Sequence, residues 1–162
     1  QRHVYELGVA LESIAKECRK HGALLIVTAD HGFIDSGNAE RVDLDRHPPL
    51  ADTLNLPLCG EPRTAFCYVK STMAPLFENY VKDTLKSLAT LIPSQKLVDD
   101  AWFGLGTPHP ELNARIGDYT LQMQQRYTIR DQVPGELDIQ LQGVHGGISA
   151  AEQLVPLLVA GP

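Results

Sequence analysis

The stretch Ala23-Leu-Leu-Ile-Val-Thr-Ala-Asp-His-Gly32 constrains the fold more than any other part of the chain. Leu24 to Val27 form a continuous apolar run, the pattern of a short strand buried on both faces of a sheet. Asp30, His31 and Gly32 follow directly. The carboxyl end of such a strand opens into the crevice where α/β sheets bind ligands. A carboxylate and an imidazole delivered there side by side on a rigid element are suited to holding a metal ion. The glycine lets the chain turn away. Taken alone, the same residues also describe a strand that ends in a polar turn.

The residues upstream support an α/β unit. Val4, Leu7, Leu11, Ile14 and Cys18 recur at three- and four-residue intervals, which predicts an amphipathic helix. Glu6 and Glu12 lie towards its start, Lys16, Arg19, Lys20 and His21 crowd its end, and Gly22 stops it. His3 and His21 fit solvent-facing helix ends. Downstream, Asp35 to Pro49 is polar and proline-rich and reads as a long surface loop, with His47 an exposed loop histidine. Pro57 to Pro62 reads as a boundary.

From Arg63 the character changes. Thr64 to Lys70 is rich in β-branched and aromatic residues and predicts a strand. Leu76, Phe77, Tyr80, Val81, Leu85, Leu88 and Leu91 predict a second helix over 73–91. Tyr119, Leu121 and Met123, continued by Tyr127 and Ile129, alternate as a half-buried strand or hairpin does. His109, held between two prolines, has no partner ligands nearby in the sequence and reads as structural. These elements predict a small α+β subdomain at 63–131, inserted between a core segment at 1–62 and a return to the core at 132–162.

The second informative stretch is Gly143-Val-His-Gly-Gly147. The glycines permit positive φ or close backbone approach and present the imidazole of His145 to whatever lies opposite. Residues 131–142 before it read as a loop. Ser149-Ala-Ala-Glu152 has capping-box spacing and predicts a short helix, and Leu157 to Ala160 reads as a strand returning to the main sheet.

The formal charge of −6 argues against binding a nucleic-acid backbone, and no apolar run is long enough to span a bilayer. A phosphorylated small molecule is not excluded, since a divalent cation reverses the local field. Cys18, Cys59 and Cys67 are odd in number and lack zinc-like spacing, which predicts buried free thiols and favours a reducing, cytoplasmic setting.

Thr28-Ala-Asp-His-Gly32 followed far downstream by Val144-His-Gly-Gly147 resembles the alkaline phosphatase superfamily, in particular its type I phosphodiesterase/nucleotide pyrophosphatase branch. Arg63 with its following strand, and Arg115-Ile-Gly-Asp118, also look like that branch. The resemblance implies part of a three-layer α/β fold around a mostly parallel sheet, corresponding to the C-terminal portion of a complete member. It implies two divalent metal ions, zinc first with manganese or calcium as alternatives. Asp30 and His31 match the adjacent pair on one metal, and His145 matches the C-terminal histidine on the other. The family's Thr or Ser nucleophile and its remaining ligands lie upstream of anything present here, so the resemblance assigns this chain no catalytic residue and implies that it is inactive alone. In the intact enzyme the nucleophile would attack phosphorus to give a covalent intermediate that water hydrolyses. The substrate class implied is a nucleotide or phosphodiester, and the implied partner is the N-terminal half of the same protein. The alternatives are a phosphomutase or sulfatase relative and a non-catalytic partner-binding domain.

Overall fold

A computed structural model describes residues 2–135 and 141–161 of the chain. They divide into two compact units, one formed by residues 2–32 with 154–161 and the other by residues 33–135 with 141–153.

The first unit is a helix and two strands. Helix α1 (Arg2–Lys20) carries the predicted stripe, and the Ala23 amide closes it by donating to the Cys18 carbonyl at 2.8 Å. Strand β1 (Leu25–Thr28) pairs antiparallel with β10 (Leu157–Ala160), so the closing apolar segment is a strand as the sequence predicts, in a two-stranded ribbon with β1. The expected burial of β1 on both faces is not observed, and Ile26 is 57% exposed. Among the described residues β1 has β10 as its only strand partner, and a two-stranded ribbon cannot enclose an apolar run on both sides.

The second unit holds the core. Strands β4 (Cys59–Glu61), β5 (Thr64–Cys67), β6 (Ala89–Pro93) and β7 (Tyr119–Met123) form an antiparallel sheet in the order β4-β5-β7-β6. Helix α3 (Ala74–Thr84) packs on β6, and its Phe77 and Val81 join Leu85, Ala65, Cys67, Leu121 and Met123 in one buried cluster. The helix predicted over 73–91 is therefore two elements. Leu88 and Leu91 continue the helical spacing, but β6 gains a full ladder to β7, from Ala89 opposite Met123 to Pro93 opposite Tyr119. Cross-strand pairing outweighs a spacing that a turn and a strand also satisfy.

Two further expectations change. Strand β8 (Thr128–Arg130) does not fold back on β7 as a hairpin; it runs parallel to β3 (Arg41–Asp43). The stretch 35–49 is accordingly no structureless loop: it holds β3, two 3₁₀ turns and the start of α2 (Pro48–Ala51), and Val42 and Leu44 are buried in the core. Isolated apolar residues in a polar run gave no period from which to read this. Short helices α4 (Ser94–Asp99) and α5 (Leu112–Ile116) lead to β7. Of residues 131–142, 136–140 lie outside the described residues. Strand β9 (Gly143–Val144) pairs antiparallel with β2 (Ile34–Asp35), and α6 (Ala150–Gln153) follows.

All three cysteines are free thiols, but only Cys67 is buried. Cys59 lies on the outer strand β4, whose residues are all exposed, so burial does not hold for it.

Candidate functional site

Asp30 and His31 stand just beyond β1, where the apolar run delivers them. The Asp30 carboxylate accepts the His31 backbone N–H at 3.0 Å, which fixes the Asp30 side chain. His31 Nδ1 lies 2.9 Å from the Gly32 carbonyl. A carbonyl only accepts, so Nδ1 carries the proton, and in the neutral ring the lone pair is on Nε2. That nitrogen is 3.6 Å from Asp30 Oδ2. Two ligands of one tetrahedral zinc, each bonded at about 2.0–2.1 Å, stand roughly 3.4 Å apart. Oxygen and imidazole donors at this spacing, with the second ring nitrogen held by a backbone carbonyl, fit a divalent cation.

His145 belongs to the other compact unit. It follows β9 directly, half-buried, with its ring edge-on to Phe33 at a centroid distance of 5.3 Å. The two glycines behind it have a specific reason to be glycines. Gly146 has φ of 94°, and a Cβ there would stand 2.5 Å from Glu61 Cβ. A Cβ on Gly147 would stand 2.6 Å from the Glu152 carboxylate. Without side chains, the backbone approaches a buried ion pair: Arg63 and Glu152 side chains are 2% and 1% exposed, joined Nε to Oε1 at 3.1 Å and Nη2 to Oε2 at 3.2 Å. Burial by itself would raise the Glu152 carboxyl's pKa. Hydrogen bonds from Arg63, Ser149 and the Gly147 amide, with the Arg63 charge, outweigh that and hold it below the usual carboxylate range.

The capping spacing located Glu152 but not its partner, which is 89 positions away in the turn before β5. Local spacing carries no signal for a contact of that range. The other histidines have structural partners. His47 is not an exposed loop residue: it is half-buried, with Nδ1 2.8 Å from the Tyr80 hydroxyl. His109 accepts the Glu111 amide at 3.1 Å, and His3 and His21 lie beside glutamates on α1. Among the described residues no three His, Cys, Asp or Glu side chains gather as a metal-holding group. No described helix is long and apolar enough to cross a membrane.

Human ectonucleotide pyrophosphatase/phosphodiesterase 5 superposes on 97% of the chain with a TM-score of 0.71 at 18% identity. The fold of the chain is similar to the matching part of that structure. The murine ectonucleotide pyrophosphatase/phosphodiesterase 5 gives 0.69 over the same share at 18% identity, and an inactive form of it in complex with AMP gives 0.65. The chain spans 40% of the length of each of these structures. No protein-family model and no curated protein sequence matches the chain.

Proposed function

We propose that the chain is the C-terminal portion of a metal-dependent phosphodiesterase or nucleotide pyrophosphatase, in which Asp30, His31 and His145 are metal ligands. The observation that carries this reading is the coincidence of the two histidine motifs with a phosphodiesterase fold, each motif directly following a strand. Two divalent ions fit the donor chemistry, zinc first and manganese or calcium as alternatives; such ions stabilise negative charge on the oxygens around phosphorus. Within this chain, Asp30 supplies an anionic oxygen, and the Gly32 carbonyl fixes the His31 tautomer so that Nε2 can ligate. The nucleophile and the remaining ligands come from an N-terminal half of the same protein. The substrate is a small phosphorylated compound such as a nucleotide or a phosphodiester, and the 162-residue chain by itself is inactive because a partly built site binds metal weakly.

The test is hydrolysis of a chromogenic phosphodiester by the intact protein, with zinc and with a chelator, alongside a phosphomonoester and a sulfate ester. Zinc-dependent cleavage of the diester is expected. His31→Ala should lower it by more than about 100-fold, beyond what loss of an outer-sphere partner costs. Preference for the sulfate ester would point to the sulfatase reading, and no turnover with any divalent ion would favour a non-catalytic domain.

A further inference from the structure

His145 is bracketed on both sides. Before it, Val144 is fixed in the β2–β9 ladder opposite Ile34. Behind it, both glycine peptides are anchored: the Gly146 carbonyl accepts from Thr64 Oγ1 at 2.6 Å, and the Gly147 carbonyl from Gln153 Nε2 at 2.8 Å. The Gly147 amide donates to Glu152 Oε1 at 2.8 Å, and Ser149 Oγ donates to Oε2 at 2.6 Å. Glu152 is in turn gripped by both prongs of the Arg63 guanidinium, whose Nη1 donates to the Tyr127 carbonyl at 2.5 Å. The ion pair thus joins the turn before β5 and, through Arg63, the loop after β7 to the loop that carries His145.

We propose that the buried Arg63–Glu152 pair is a positioning device for the His145 imidazole, setting the direction from which it reaches a metal ion. The proposal rests on the reading of His145 as a ligand. Stability alone is a weak reason for burying such a pair, since an apolar replacement of similar volume is often as stable or more so. An apolar pair, however, has no acceptor for the Gly147 amide or the Ser149 hydroxyl. The ion pair supplies direction as well as cohesion, because the bidentate fork fixes the plane of the carboxylate that the loop binds.

The test uses the full-length protein with two readouts: zinc affinity by chelator competition, and the His145–Phe33 ring contact followed by NMR without metal. Two variants are compared, Glu152→Gln and the apolar double variant Arg63→Met with Glu152→Leu, which keeps a folded protein if the single variant unfolds. Both should bind zinc about 10- to 100-fold more weakly, the range for lost outer-sphere partners, and both should weaken the His145–Phe33 contact. Arg63→Lys, which keeps the charge and loses the fork, should fall between them and the unmodified protein. A folded double variant with unchanged affinity and an unchanged ring contact overturns the proposal. If His145→Ala leaves zinc affinity untouched, the ligand reading fails. The ring contact then decides positioning alone: weakened in both variants it supports the device, unchanged it overturns it.

Discussion

Glu152 sits almost wholly out of water, yet Arg63 and the hydrogen bonds from Gly147 and Ser149 in the preceding loop keep it charged. Its folded-state pKa lies below the 4.5 of the free group. A depressed carboxylate contributes stability that is fully present above that value and is lost as pH falls through the folded pKa. Unfolding titrations from neutral pH downward should therefore show an acid-side loss of stability that Glu152→Gln removes. The same substitution should cost about 3–5 kcal/mol at neutral pH, the range for leaving one member of a buried ion pair alone. An acid slope identical in the variant would assign that loss to other carboxylates. Tyr119 behaves in the opposite sense. Its hydroxyl donates to Glu78 Oε1 at 2.7 Å, and chiefly through that bond its pKa is pushed up from 10.0 to about 12. The raised group contributes stability that is complete below pH 10 and declines as pH rises through about 12. Ultraviolet titration should find a late-ionising tyrosine that reverts towards pH 10 in Glu78→Gln.

Helix α3 shows at the scale of an element why apolar spacing was partly readable. Phe77 is fully buried in the main cluster while its neighbour Leu76 is 58% exposed. Phe77→Ala should cost about 3–5 kcal/mol by denaturant unfolding. Leu76→Ala should stay within about 0.5 kcal/mol, and comparable losses at the two positions would contradict the placement of the helix. Helix α1 and strand β7 were legible because each carries its period within one segment, and β1 and β5 because apolar, β-branched or aromatic residues cluster there, although the burial read from β1 fails. The end of α3 was not, since Leu85, Leu88 and Leu91 satisfy both a continuing helix and a turn into β6. Nor was the parallel pairing of β3 with β8, where three-residue strands far apart in the chain find each other through contacts that no local pattern encodes. His31 and His145 could be picked out because glycines and strand ends surround them. Arg63 could be marked only by resemblance, and its partner emerges only in the folded chain.

On the scale of the whole molecule, two compact units carry separate parts of the proposed metal chemistry, Asp30 and His31 in one and His145 in the other. The larger unit has a continuous core, while the strands β1 and β10 of the smaller leave Ile26, Leu157 and Val159 exposed. The chain accounts for 40% of the length of the phosphodiesterase structures whose fold it shares, so the proposed activity belongs to the intact protein. That activity requires Asp30, His31 and His145 to hold metal. The most direct measurement is the zinc content of the intact protein by elemental analysis, compared with Asp30→Ala, His31→Ala and His145→Ala. His47→Ala and His109→Ala serve as controls, since both side chains have structural partners. Zinc is expected in the unmodified protein and in both controls, with a clear loss in each of the three ligand variants. Full zinc occupancy in all three, or no divalent metal in the folded intact protein, would contradict the metal assignment.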